Sequence, residues 1–249
     1  MKQTNAQLII VPDIHGRTFW KDVFDYDCEV VFLGDYLDPF RSENIYPWDS
    51  LQNFTEIIAY AKANPKVHLL IGNHDLSYIK GRYFRTNRCD LENYDTIHKL
   101  FCDNESLFQL TYDCTINGKK FFLSHAGILF GWYERHRDIF SYSYPETLNA
   151  AYINELYRTR KLDKFLQEIS GMRLGTDPYG SIVWADIREW EKRPDAPDSG
   201  VIQIVGHTQI VNGPLNLEKE LQVYDVDSRK CVYIDPEGTL RMLSNDEII

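Results

Sequence analysis

The sequence predicts an α/β fold built around parallel strands. Two observations lead to this prediction. Three apolar runs, at residues 8–11, 28–33 and 67–71, alternate with stretches of helical character, and this order is typical of parallel βαβ units. Each run also stops at a cluster of Asp, Asn or His residues. Because open α/β sheets place their functional sites at the carboxyl ends of strands, these clusters are expected to lie together.

The helices between these strands are predicted from apolar spacing. Residues 17–24 are expected to form a short helix that packs back on the sheet. A longer helix is expected to begin with Asp49 or Ser50 as its cap and to end near residue 64, where an Asn-Pro pair stops it. Its apolar positions show helical spacing: Leu51, Phe54, Ile57, Ile58 and Ala61. A further helix is predicted at residues 93–101.

The second half of the chain combines more strands with an insertion. Asn117-Gly118 joins two strand-like runs and predicts a hairpin, because this pair suits a type I′ turn. Residues 128–200 are rich in Trp and Tyr and predict a mainly helical insertion within a single domain that spans residues 1–249. One helical face of the insertion is predicted to consist of Leu162, Phe165, Leu166 and Ile169. Further strands are predicted at residues 201–205, 221–226, 230–234 and 239–243.

Composition and charge limit the function classes. The chain has 249 residues, enough for one large domain. No apolar run approaches the ~20 residues of a membrane helix, and the first residues do not resemble a signal peptide. Five cysteines without a CxxC pair indicate reduced thiols, so a cytoplasmic location is expected. A net charge of −10 disfavours a broad nucleic-acid surface, although bound dications would reverse the local field in a cleft.

Five short motifs follow strand-like runs along most of the chain. In order they are Asp13-x-His15, Gly34-Asp35-x-x-Asp38, Gly72-Asn73-His74-Asp75, Ser124-His125-Ala126-Gly127 and Gly206-His207-Thr208. This ordered set resembles the calcineurin-like metallophosphoesterase superfamily, and within it the branch of phosphoprotein phosphatases and symmetrical diadenosine tetraphosphate hydrolases. The resemblance implies an αββα sandwich in which helices flank two mixed β-sheets. It also implies hydrolysis of a phosphomonoester or nucleotide phosphate by a hydroxide that two divalent ions activate.

The motif residues have the chemistry that a pair of metal ions requires. Residues two apart in an extended segment point to the same side, so Asp13 and His15 can face one ion. Asp35 can bridge two ions because a carboxylate has two oxygens with free lone pairs. Oxygen and nitrogen donors without thiolate suit Mn, Fe, Zn or Ni, and Mn is expected here. The resemblance assigns the first metal to Asp13, His15 and Asp35, and the second to Asp35, Asn73, His125 and His207.

The resemblance also implies a proton donor, and it leaves open which arginine binds the phosphate group. His74 is the candidate general acid, and Asp38 is the candidate partner that orients its ring. In the related phosphatases an Arg directly follows the second motif and contacts phosphate, whereas this chain has Pro39-Phe40 there. Arg188 is the preferred substitute and Arg41 the second candidate.

The sequence leaves alternatives for the substrate and for the catalytic role of the chain. The substrate is expected to be a small phosphoester or nucleotide rather than a phosphoprotein, and a dinucleoside polyphosphate is one alternative. A non-catalytic binding module on the same fold is another, although every predicted ligand position is filled. His68, His98 and His136 have no motif context and are interpreted as ordinary surface or core residues. Asp75 is interpreted as a helix cap.

Overall fold

The computed structural model describes residues 5–24, 26–81, 84, 86–192, 199–210, 214–217 and 223–243. Its strands, in chain order, are β1 (Leu8–Val11), β2 (Glu29–Phe32), β3 (Val67–Leu70), β4 (Phe108–Gln109), β5 (Thr111–Ile116), β6 (Lys119–Ser124), β7 (Val201–Val205), β8 (Leu215–Leu217), β9 (Val223–Asp225), β10 (Val232–Ile234) and β11 (Leu240–Met242). The helices are α1 (Pro47–Ala63), α2 (Asn73–Ile79), α3 (Tyr94–Asp103), α4 (Phe130–Arg135), α5 (Ala150–Arg158) and α6 (Ile187–Glu191).

The strands form two mixed sheets. The first has the order β11-β10-β1-β2-β3-β4, in which β1 to β4 are parallel and β10 and β11 are antiparallel additions. The second has the order β5-β6-β7-β9-β8. The β5–β6 hairpin turns at Asn117 (φ 49°) and Gly118 (φ 75°), and two positive φ angles are what a type I′ turn requires.

Alternation along β1 shows how the layers are arranged. Leu8 and Ile10 belong to the core between the two sheets, together with Val31, Leu123 and Ile204. The intervening side chains Ile9 and Val11 belong to the core beneath α1 and α3. A third core lies between the outer face of the second sheet and the helices α4, α5 and α6. The predicted sandwich of two mixed sheets flanked by helices is therefore confirmed.

Two helical predictions differ from the structure in their details. Helix α1 begins at Pro47 rather than at Asp49 or Ser50, because the fixed φ of proline suits the first helical position. The predicted short helix at residues 17–24 is a 3₁₀-helix, Phe19–Val23.

The region of residues 128–192 and 199–200 contains three short α-helices separated by turns and loops. The predicted helical face around Leu162 and Leu166 is formed by consecutive turns rather than by a helix. Arg160 takes a left-handed conformation (φ 59°) directly after α5 and ends the helical backbone there. Leu162 and Leu166 are nevertheless buried, since apolar side chains three or four residues apart share one side of a turn as they do in a helix. Within the described residues, no helix has the length and apolar character needed to cross a membrane.

Candidate metal centre

The polar motifs meet at one edge of the sandwich. Asp13 and His15 follow β1, Asp35 follows β2, and Asn73 starts α2 directly after β3. From the second sheet, His125 follows β6 and His207 follows β7. All six of these side chains are buried. The carboxyl ends of parallel strands in both sheets thus direct their ligands to one point, as the sequence predicts.

Left-handed backbone conformations orient several of these side chains. The φ angles are 44° at His15, 52° at Asp35, 61° at Asp38 and 69° at His207. A left-handed conformation is uncommon outside glycine and costs about 1–3 kcal/mol, although Asp and His tolerate it better than most residues. Four such residues in one site indicate that the fold holds these loops in place for function.

Two neighbouring glycines allow the loops to approach each other closely. Gly34 has a φ of 106°, and a Cβ atom there would collide with the backbone of Gly72. A Cβ atom on Gly72 would in turn collide with Asp35. Only glycine fits at both places, which explains why the second and third motifs begin with this residue.

Donor atoms converge around the ring of His125. Its Nδ1 lies 2.9 Å from the carbonyl oxygen of Leu33, an acceptor that suits a proton on Nδ1, and its Nε2 faces the other donors. This Nε2 lies 3.0 Å from Asn73 Oδ1, 3.1 Å from His207 Nδ1 and 3.6 Å from Asp35 Oδ2. Metal–ligand bonds of about 2.1 Å place neighbouring donors roughly 3.0–3.4 Å apart. The spacing therefore suits a common cation.

A second group of donors surrounds His15. Its Nδ1 donates to the carbonyl oxygen of Leu37 at 2.9 Å, and its Nε2 lies 3.5 Å from Asp35 Oδ2. Among the described residues, the donors that lie within 4.8 Å of one another form two groups: His15, Asp35 and His74, and Asp35, His125 and His207. Asp35 belongs to both groups, as a carboxylate that bridges two ions would.

Asp13 lies at the edge of this arrangement. Both of its carboxylate oxygens accept from the backbone N–H of His207, at 3.1 and 3.2 Å, and Oδ1 lies 3.8 Å from His125 Nδ1. Thus the structure brings all six predicted ligands together, but His74 is closer to the group around His15 than Asp13 is.

The charge balance of the site fits a cation. Burial raises the pKa of Asp13, and the nearby Asp227 carboxylate raises it further. Burial also raises the pKa of Asp35, with a further contribution from Asp75. Both carboxylate oxygens of Asp227 are buried without a hydrogen-bond partner among the described residues. Buried carboxylates this close together destabilise a fold unless a positive charge compensates them, so the donor set matches divalent metal ions.

His74 is oriented by a hydrogen-bonded group around Asp38. His74 Nδ1 lies 2.6 Å from Asp38 Oδ2, and the hydroxyls of Tyr78 and Thr86 also donate to this carboxylate. Burial raises the pKa of Asp38 to about 6, and the hydroxyl donors partly oppose that shift. With Nδ1 committed to Asp38, Nε2 is the ring atom that faces the site. The predicted pairing of His74 with Asp38 is therefore present in the geometry.

The predicted phosphate-binding arginines have different positions. Arg188 lines the site cavity of about 570 Å³, but its Nε and Nη2 donate to both oxygens of Asp186, at 2.7 and 2.8 Å. Arg173 also pairs with Asp186, at 2.7 Å. Arg41 lies in a 3₁₀-turn and lines a neighbouring cavity rather than that of the metal site.

Sequence reasoning missed Arg88, which enters the site cavity. Its Nη2 lies 3.3 Å from Nε2 of both His15 and His74, and its Nε donates to the carbonyl oxygen of Asp38 at 3.0 Å. It follows His74 by fourteen residues in a stretch without regular periodicity, so no motif identifies it.

Sequence reasoning also underestimated Asp75, which connects the second and third motifs. Its Oδ2 accepts from the N–H groups of Gly72 and Asp35, both at 2.8 Å, and its Oδ1 accepts from Tyr36 N–H at 3.1 Å. The carboxylate is therefore more than a cap for α2, because it also holds the loop that carries Asp35.

This arrangement predicts a large loss of stability for Asp75→Ala. The substitution leaves three buried N–H groups without their acceptor, and each unsatisfied group costs about 1–3 kcal/mol. We expect the free energy of unfolding in urea, measured without metal, to fall by about 3 kcal/mol or more. The exposed Asp95→Ala on α3 is the matched control. Equal stability of both variants would contradict the connecting role of Asp75.

The comparison with known families agrees with this geometry. A family model described as calcineurin-like phosphoesterase matches residues 7–228. The chain belongs to this family. Members of this family are metal-dependent phosphoesterases.

One relative of this chain has a more specific name. It is a probable serine/threonine-protein phosphatase of Encephalitozoon cuniculi (strain GB-M1), which is 30% identical over 135 residues. The match covers 51% of this chain and 27% of the relative, so the chain spans only about a quarter of that protein's length. The likeness is consistent with the phosphoprotein-phosphatase-like branch that the motifs indicate.

Proposed function

We propose that this phosphoesterase holds two divalent metal ions and hydrolyses small phosphomonoesters or nucleotides. The observation that supports a pair of ions is the position of Asp35, which belongs to both groups of converging donors. In this proposal Asp13, His15 and Asp35 hold the first ion. Asp35, Asn73, His125 and His207 hold the second. Oxygen and imidazole donors suit Mn, Fe, Zn and Ni without choosing among them, and Mn is the metal that we expect.

The side chains around the ions have distinct tasks. When bound, two such ions lower the pKa of an attacking water and neutralise phosphoryl oxygens. His74 Nε2 donates the proton that the leaving oxygen needs. Asp38 holds the His74 ring in the required orientation through the 2.6 Å contact at Nδ1 and stabilises the protonated imidazole.

Metal analysis tests the first part of this proposal. Protein expressed with manganese and freed of loosely bound ions is expected to contain close to two metal ions per chain. Two binding steps should also appear in titration calorimetry of the metal-stripped protein. A chain that binds no metal at neutral pH would contradict the dinuclear centre.

The expected substrate class follows from charge and from the site cavity. A net charge of −10 repels acidic phosphopeptides, and a cavity of about 570 Å³ has room for a small phosphoester or a nucleotide. A dinucleoside polyphosphate remains the alternative among small substrates. The name of the Encephalitozoon relative favours a phosphoprotein as the second candidate.

A substrate panel distinguishes these candidates. It contains an aryl phosphate, mononucleotides, diadenosine tetraphosphate, cyclic nucleotides and a phosphopeptide, each with Mn, Ni, Zn and Mg. We expect the aryl phosphate to react readily, because a good leaving group needs little protonation and few contacts, and nucleotides to exceed the phosphopeptide in kcat/KM. A dominant phosphopeptide activity would reverse the substrate assignment, and metal binding without any turnover would favour a binding module.

A further inference from the structure

Arg88 differs from the other arginines around the site cavity. Arg173 and Arg188 both donate to the Asp186 carboxylate, whose single negative charge offsets one of their two positive charges. Arg88 also lines the cavity, and among the described residues it forms no ion pair with a carboxylate within 4 Å, although Asp35 and Asp38 are near enough to favour its charged form. A half-buried guanidinium without a directly paired carboxylate keeps donors for an anionic ligand, whereas Arg173 and Arg188 use donors on Asp186.

The guanidinium of Arg88 lies between the two functional parts of the site. Its Nη2 is 3.3 Å from His15 Nε2, which belongs to the metal-binding group. The same nitrogen is 3.3 Å from His74 Nε2, the proposed proton donor. A phosphoryl group whose leaving oxygen contacts His74 and whose other oxygens face the metal group would lie directly against this guanidinium.

Two contacts fix this orientation. The Nε of Arg88 donates to the carbonyl oxygen of Asp38 at 3.0 Å, so the arginine is tied to the residue that orients His74. Its guanidinium carbon lies 3.6 Å from the centre of the Phe40 ring, within cation–π distance. The Phe40 ring also packs edge-to-face against His15, with centroids 4.9 Å apart. Phe40 thus limits where the guanidinium can move.

We propose that Arg88 binds the phosphoryl group of the substrate and that Phe40 is the residue that positions it. The proposal deepens the function proposed above and rests on it. Pro39-Phe40 directly follows the second motif in this chain. The Phe40 ring packs against the guanidinium of Arg88, which comes from a later part of the chain.

The first test measures phosphate affinity and turnover in Arg88 variants. With an aryl phosphate, Arg88→Ala is expected to raise KM and the inhibition constant of inorganic phosphate by about 10–100-fold, the range for a lost charge-assisted hydrogen bond. Metal content should stay at the wild-type value. Arg88→Lys should recover part of the affinity, because it keeps the charge but not the fork of donors. Arg158→Ala, an exposed change on α5, is the matched control.

The second test separates positioning from general structure. Phe40→Leu keeps an apolar side chain but removes the ring face, so KM should rise by about 2–5-fold. If Phe40 acts through Arg88, this effect should disappear when Arg88 is already alanine. An equal effect of Phe40→Leu in both backgrounds would overturn its positioning role.

The proposal can fail independently of the proposed activity. If the wild type shows no turnover, calorimetric titration of the manganese-loaded protein with inorganic phosphate replaces kinetics. Phosphate binding that weakens in Arg88→Ala and not in Arg158→Ala would then still support the assignment. Unchanged phosphate affinity and KM in Arg88→Ala, or a wild type that binds no phosphate, would overturn it.

Discussion

His74→Asn is expected to lower kcat by about 10²–10⁴-fold while both metal ions stay bound, because the substitution removes a general acid. Asparagine keeps a polar group near the Nδ1 position but has no atom that can give a proton to the leaving oxygen. The measurement is kcat on a nucleotide together with the metal content of the same sample. His68→Asn is the matched control, since His68 lies outside the site and pairs with Glu29.

The dependence on the leaving group makes this test sharper. An aryl phosphate with an acidic phenol leaves without much protonation, whereas an alkyl phosphate needs the proton. The loss in His74→Asn should therefore be much larger for the alkyl substrate. Equal losses for both substrates would contradict the role of His74 as an acid.

Metal content decides between two roles for His74. Its ring belongs to the donor group of His15 and Asp35, which is the position of a ligand. However, its Nδ1 is committed to Asp38 at 2.6 Å. If His74→Asn loses one ion per chain, His74 is a metal ligand and the general acid has to be another group.

Local patterns were sufficient to predict most of the strands and to single out polar residues that the structure brings together, but β4 and β8 were not predicted. β1 and β7 have the predicted bounds, because an apolar run that ends in a polar cluster is determined by neighbouring residues alone. The turn at Asn117 and Gly118 was predicted for the same reason, since its positive φ angles depend on those two residues.

Contacts between distant segments could not be predicted in this way. Arg88 reaches the site from a segment without regular secondary structure. Its guanidinium is held there by the Phe40 ring, which is far from Arg88 in the sequence. Asp75 acts on the backbone of Asp35 and Tyr36, forty and thirty-nine residues away. The periodicity at Leu162 and Leu166 correctly predicted that these side chains share a buried face. It could not predict the backbone conformation, because consecutive turns bury such residues as well as a helix does.

Asp35→Asn is expected to remove metal binding and, with it, nearly all turnover. Asp35 Oδ2 lies 3.5 Å from His15 Nε2 and 3.6 Å from His125 Nε2, so one carboxylate serves both donor groups. Asparagine has the same shape and also tolerates the left-handed φ of 52°, so the backbone should be preserved. The change therefore removes a charge and a donor oxygen with little effect on the loop.

The loss of metal affinity in Asp35→Asn should exceed the loss that follows when a residue that only supports a metal ligand is changed. Removing a residue that only supports a metal ligand costs about 10–100-fold in metal affinity, and a shared ligand should cost more than that for both ions. Titration calorimetry with manganese measures this directly, with Asp95→Asn as the matched exposed control. If Asp35→Asn loses only one of two ions, the carboxylate binds a single metal, and the proposal that Asp35 is shared by both ions is wrong. If it keeps both ions at wild-type affinity, the converging nitrogens of His15, His125 and His207 hold the metals without it, and the shared carboxylate does not explain the site.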